Sequence, residues 1–365
     1  MPRTKTTRYI YDPDYAVCPG ETVVDAIRAL GISQKVFAQR IGYSERHLTG
    51  LLSGTMPLNQ ETAIRLERVT GTPARIWNNL ENEYRERLVR LEEKQKLSDC
   101  SGFLNAPAIR ELLSRGIIEE SKGNTTKQVD AVLRFFGVGS IQALLDTCKA
   151  PRKTALRHSV AFESDPLSLA TWLQIGEYEA KKLSCKPYDE ARFHNALKTI
   201  RKLTVKEPNE FVPEMVRLCA DAGIALVFVP EIQGAMVHGA TKWLAEDRAM
   251  IVLNLRGKKN DIFWFTFFHE AAHILEGKKD ALIIEVLGNK AKKTVREQRA
   301  DQFAADFLIP SQYQTELKTL RSKAAVSLFA NRLGIAPGIV VGRIQHDGVI
   351  DFTHLNALKK TFVWQ

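Results

Sequence analysis

The segment Ile262-Phe263-Trp264-Phe265-Thr266-Phe267-Phe268-His269-Glu270-Ala271-Ala272-His273-Ile274-Leu275 constrains this chain more than any other. Read as a helix it is apolar on nearly every side, so it belongs in a core. His269 and His273 then stand at i and i+4 and project from one face, with Glu270 one step away. Burying two imidazoles and a carboxylate among aromatic rings is costly unless they are paired or hold an ion. A metal bound by both imidazoles removes that cost, and the spacing is that of the HExxH zinc motif. Nitrogen and carboxylate donors in tetrahedral geometry favour Zn2+; manganese and iron accept the same donors.

A catalytic zinc site uses three protein ligands and leaves a position for water, so a third ligand is expected on another element. Glu297 is the candidate. It lies one helical turn before Asp301 in a second helical stretch, 295–309, and Asp301 on the same face could hold a histidine N–H. Taken alone, two like charges at i, i+4 are a solvated and mildly unfavourable pair. Phe303, Ala304, Phe307 and Leu308 argue instead that this helix also packs in a core. A three-histidine site would need glycine at 276 and histidine at 279, where the chain has Glu276 and Lys279. Asp280 is a weaker rival ligand. With water activated at such a site, Glu270 is the expected proton acceptor for peptide hydrolysis. No motif names the group that would steady a developing oxyanion. His238, His346 and His354 are available, each also readable as an ordinary surface histidine.

The N-terminal stretch carries a second pattern. Ser33 can cap a helix from Gln34 to Ile41, Gly42 makes a turn, Ser44 caps Glu45 to Leu52, and Gly54 ends it. Val36, Phe37, Ile41, Leu48, Leu51 and Leu52 form the expected shared core, with Ala38 where two helices approach. This is a helix-turn-helix pattern. Ser44, Glu45, Arg46, His47 and Thr49 would line the helix that enters a DNA major groove, and Gln34 and Lys35 would lie near phosphates. Residues 1–99 hold 15 Lys and Arg against 13 Asp and Glu, so the charge there is nearly balanced. A purely protein-binding bundle is the competing reading. Arg3, Lys5 and Arg8 in the N-terminal tail could add local positive charge.

At 365 residues the chain can hold two or three domains, and its net charge of +10 favours acidic partners such as nucleic acid. Five cysteines without CxxC spacing read as reduced thiols, and neither a signal peptide nor an apolar run of membrane-spanning length is evident. A cytoplasmic protein with no membrane partner is expected. Residues 73–96 read as a long amphipathic helix with Ile76, Leu80, Tyr84, Leu88 and Leu91 on one stripe: a spacer, a dimer seam, or a helix packed on its own domain. Residues 105–205 show helical periods broken by glycines, with a core helix at Thr171–Lys182. Strand signals appear at 224–229 and 251–255, separated by a segment containing Gly239-Ala240-Thr241-Lys242-Trp243-Leu244.

Two resemblances join these patterns. Pro19-Gly20-Glu21, the unit from Ser33 to Gly54, and Gly71-Thr72-Pro73-Ala74-Arg75-Ile76-Trp77 resemble HigA-type antitoxins of the XRE repressor superfamily, which implies operator binding as a homodimer. Gly239-Ala240-Thr241, the segment Trp264 to His273 and the block Glu297 to Pro310 resemble the ImmA/IrrE metallopeptidase family. That resemblance implies a helical zinc-peptidase core with a small sheet, metal ligands at His269, His273 and Glu297, a base at Glu270, and a repressor or antitoxin protein as substrate. The family often has Glu two residues after the third ligand and Asn at the fourth; this chain has Arg299 and Asp301. The segment 335–346 also recurs in such fusions.

The expected fold is therefore mainly α, with an α+β peptidase part: a helix-turn-helix bundle (1–98), a helical middle domain (99–205) and a zincin-like core with a small sheet (206–365). The expected function is a DNA-binding regulatory zinc endopeptidase. The alternative is a HigA-type antitoxin and repressor that pairs with a ribonuclease toxin, its peptidase-like part acting as a sensor or scaffold.

Overall fold

A computed structural model describes residues 13–121, 123–149, 164–254, 259–277, 282–286 and 294–362. The chain divides into two compact units, one of residues 1–102 with 121–129, the other of 103–120 with 130–365. The tail cations Arg3, Lys5 and Arg8, and the rival ligand Asp280, lie outside the described residues.

In the first unit α1 (Pro19–Ala29), α2 (Gln34–Ile41), α3 (Glu45–Leu52), α4 (Gln60–Thr70) and α5 (Ala74–Asp99) follow one another through short turns. The starts are set chemically: Ser33 accepts from the Val36 N–H, Ser44 from His47 and Asn59 from Thr62. Gly42, at φ 73°, closes α2 in the left-handed conformation that a side chain resists. Val23, Phe37, Ala38, Ile41, Leu48, Leu51, Leu66 and Trp77 form the core. Two expectations change here. Val36 is 38% exposed, because it falls on the outer side of α2 once Phe37 and Ala38 turn inward. On α5 the anchor is Trp77, whose indole donates to the Thr72 carbonyl at 3.2 Å, whereas Ile76 is 41% exposed.

The second unit is built on a four-stranded sheet in the order β1 (Ile224–Phe228), β3 (Arg248–Leu253), β2 (Val237–Ala245), β4 (Ile283–Val286). β1 and β3 are parallel; β2 is antiparallel to both β3 and β4. β1 and β3 are buried on both faces, which is why they read as unbroken apolar runs. The segment expected to separate two strands is itself β2. Its Gly239, Ala240 and Lys242 give it low strand propensity, and pairing with β3 and β4 overrides that.

Helices cover both faces. On one, Ala225, Val227, Ala240, Met250 and Val252 pack with α6 (Pro107–Ser114), α8 (Ile141–Lys149) and α9 (Pro166–Lys182). Gly176 lets α9 come close to β3, since a Cβ there would lie 2.7 Å from Val252 Cγ2. The helical stretch expected as a middle domain thus contributes α6, α8 and α9 to this unit. The preceding helix α7 (Thr125–Phe136) and α8 together form a stretch, Thr125–Cys148, that is long and apolar enough by composition to cross a membrane, contrary to the expectation that no such run exists. It is interrupted at Gly137, where φ is 66°.

On the other face Ile224, Leu226, Ile251 and Leu253 meet α10 (Glu190–Lys202), α11 (Pro208–Asp221), α12 (Asn260–Leu275), α13 (Val295–Leu308), α15 (Lys323–Leu333) and α16 (Pro337–His346); the one-turn α14 (Gln314–Leu317) lies between α13 and α15. The start of α12 is fixed from two sides. Asp261 pairs with Lys359 Nζ at 2.5 Å, and Lys359 also donates to Gln345 on α16 at 2.6 Å. Gly338 and Gly342 of α16 make room for Asn260 and Asp261, where a Cβ would come within 2.2 Å and 2.6 Å of their side-chain oxygens. We therefore expect Gly338→Ala to destabilise the second unit by about 1–3 kcal/mol in urea denaturation, the usual cost of overpacking; an unchanged midpoint would contradict this packing.

Candidate metal centre and DNA-binding face

α12 brings three of the expected residues into the core: His269, Glu270 and His273 are all essentially inaccessible to solvent. α13 crosses beside it and supplies Glu297 and Asp301. Thr294 caps α13 by accepting the Glu297 N–H at 3.2 Å, which places Glu297 in the first turn facing the two imidazoles. His269 Nε2 is 3.2 Å from one Glu297 oxygen and His273 Nε2 is 3.5 Å from the other, while the two Nε2 atoms are 3.1 Å apart. Three donor atoms, one from each residue, lie within 4.8 Å of one another.

Burial works to raise the Glu297 carboxyl, but hydrogen bonds from His269 and His273 and their charge outweigh it and hold the group well below the ordinary carboxylate range. A carboxylate that stays ionised beside two imidazoles is the donor set a divalent cation requires. His269 Nδ1 lies 3.0 Å from Asp301 Oδ1. With Nδ1–H donating there, His269 Nε2, once it gives up the proton it shares with Glu297, would present its lone pair to an ion. The residues therefore fit an ion of the zinc class. Arg299, where the ImmA/IrrE pattern often has Glu, is exposed to solvent and leaves this geometry intact.

The Glu270 carboxylate meets β2. Thr241 donates a short hydrogen bond to its carboxylate and lies 3.3 Å from its backbone carbonyl. Gly239 provides the space, since a Cβ there would sit 2.9 Å from Glu270 Oε1. In the sequence Gly239 and Thr241 fall in the segment between two expected strands and in the resemblance, and their contact with Glu270 emerges only once that segment pairs as β2. Of the histidines considered for oxyanion stabilisation, His238 is half-buried on β2, beside Gly239, whereas His346 and His354 are exposed.

On the first unit, Gln34, Lys35, Ser44, Glu45, Arg46 and Thr49 are exposed along α2 and α3, and His47 is half-buried. His47 stacks on Tyr43 with ring centroids 4.1 Å apart, and Arg65 lies over the other partner of that stack, 4.9 Å from the Tyr43 ring. Arg65 also donates to the Ile41 and Gly42 carbonyls at 3.0 and 3.2 Å, which stiffens the turn between the helices. Thr49 donates to the Glu45 carbonyl at 2.9 Å. Tyr43 and Arg65 were not singled out in the sequence, because the turn's support comes from α4, distant in the chain.

Comparison with known proteins separates the same two regions. Residues 25–77 match the helix-turn-helix family, and residues 219–345 match the IrrE N-terminal-like domain. An uncharacterised helix-turn-helix-type transcriptional regulator of Escherichia coli strain K12, YddM, is 30% identical over 83 residues, spanning 23% of this chain and 83% of that protein. The chain belongs to the helix-turn-helix regulators and carries an IrrE-type domain of the peptidase family. Two solved structures also match this regulator over 23% of its length. One, a candidate antidote protein of a plasmid maintenance system from Nostoc punctiforme, is 25% identical and 93% covered, with a TM-score of 0.23. The other, an addiction module antidote protein of a HigA family from Coxiella burnetii, is 24% identical and 92% covered, with a TM-score of 0.22.

Elemental analysis tests the centre. The purified regulator is expected to carry close to one zinc per chain, to lose it in His269→Ala and Glu297→Ala, and to keep it in Glu270→Gln. Equal metal in all four proteins would place the ion elsewhere.

Proposed function

We propose that this regulator is a zinc-dependent endopeptidase that hydrolyses a repressor- or antitoxin-type protein, coupled through its helix-turn-helix unit to an operator. The observation that carries the proposal is the convergence of His269, His273 and Glu297, with the buried Glu270 next to His269 on the same helix, in a chain that also presents an exposed helix-turn-helix face. A zinc ion held by those three residues would supply Lewis acidity toward a scissile carbonyl and toward water. Glu270 takes up the proton that water loses and returns it to the departing amine, so no covalent intermediate with the protein is needed. Thr241, by donating to the Glu270 carboxylate, fixes the orientation in which that proton is received. Asp301 holds the His269 ring in one tautomer.

The helix-turn-helix unit fits the role of locating the enzyme on DNA. α3 would enter the major groove, with Arg46 toward base edges and Gln34 and Lys35 toward phosphates, and two copies would occupy two half-sites. Arg46→Ala is expected to weaken operator binding by about 1–3 kcal/mol if Arg46 reads a guanine, measured by fluorescence anisotropy at fixed salt. Retained affinity would remove Arg46 from the interface.

Peptidase action is tested by mapping new protein N-termini in cells expressing the wild type or Glu270→Gln. The proposal expects new termini within helix-turn-helix proteins, a second copy of this chain included, in the wild type alone. Identical termini in both, with repression unchanged, would favour the other reading: an antitoxin and repressor that pairs with a toxin, its metal centre serving as a sensor.

A further inference from the structure

Glu297 occupies a position with two competing local demands. It is the third residue of α13 after the capping Thr294, and a glutamate there ordinarily turns back to accept the N–H of the capping residue. Here its carboxylate faces His269 and His273 instead, at 3.2 and 3.5 Å. Something must hold the first turn of α13 against α12 in the arrangement where that outward choice wins.

The neighbouring ion pair has the required placement. Arg296, the residue before Glu297, donates through Nε to the carboxylate of Glu276, the residue that ends α12. Each charge is at the wrong end of its own helix. A carboxylate at a helix C-terminus and a guanidinium in a helix first turn both oppose the helix dipole. Neither helix gains from its own member of the pair, so the pair makes physical sense only as a tie between the two. The side chains are 22% and 27% exposed, against 66% and 62% for the surface pair Arg90–Glu86, so solvent screens this contact less. The pair joins the end of the helix that carries both histidines to the start of the helix that carries the third donor.

We propose that Glu276 and Arg296 are positioning residues, a latch that keeps Glu297 on the two histidines rather than in its local capping position. This rests on the reading of His269, His273 and Glu297 as a metal centre. It also gives a role to Glu276, which occupies the position where a three-histidine site would have glycine.

The test measures Zn2+ affinity by chelator competition, and the visible spectrum of the Co2+-substituted full chain, for wild type, Glu276→Gln, Arg296→Met and the charge swap Glu276→Arg with Arg296→Glu. The single variants are expected to bind Zn2+ about 10–100-fold more weakly, the range found when groups supporting metal ligands are removed, and to show an altered Co2+ spectrum with unchanged far-ultraviolet circular dichroism. The swap restores the tie and puts both charges at the favourable helix ends, so it is expected to recover most of the affinity and the wild-type spectrum. Wild-type affinity in the single variants overturns the latch, as does a folded swap variant that stays weak. A wild-type chain that takes up neither ion overturns the metal centre itself, a result distinct from both.

Discussion

Two imidazoles and a carboxylate are sealed inside a strongly apolar helix, α12, and much of the second unit is arranged around compensating them. Their burial is tolerable only where each polar atom meets a partner. α13 exists beside α12 to deliver Glu297 and Asp301 to the histidines, and β2 passes over Glu270 with a glycine and a threonine where larger or apolar residues would break the contact. The helices on the far face of the sheet hold β2 and β3 in place by burying the opposite side of the same strands.

The start of α12 obeys a similar rule. Asp261 is nearly buried and is matched by Lys359, itself nearly buried and held by Gln345. Removing one partner of such a pair leaves an uncompensated charge, which costs far more than the pair contributes. The C-terminal segment is therefore part of the support for α12: the Asn260 N–H donates to the Lys360 carbonyl at 2.7 Å, and Phe362 packs against Phe211 and Phe263. In the first unit a small apolar core and side-chain caps on α1 to α4 set the bundle, and its buried polar residues Thr62 and Glu81 are matched by Tyr43 and Asn59 and by Arg85.

The residues most legible in the sequence were those whose spacing is helical. His269 and His273, Glu297 and Asp301, and the caps Ser33 and Ser44 could be placed because one helical turn determines which side chains share a face. What failed was whatever depends on partners far along the chain. β2 looked like a connection because Gly239, Ala240 and Lys242 form a strand only when neighbours pair on both sides. Val36 and Ile76 looked like core because either of two adjacent stripes on a helix reads as apolar, and packing chose the stripes of Phe37 and Trp77. The 99–205 stretch, read as a helical domain of its own, supplies helices to the sheet of the second unit, which nothing in its own periodicity announces.

X-ray absorption at the zinc K-edge on the purified chain tests the central claim most directly. The account predicts low-atomic-number scatterers only, two of them imidazoles, with Zn–N distances of about 2.0–2.1 Å. Sulfur scatterers from the cysteines, or a spectrum without imidazole, would contradict it.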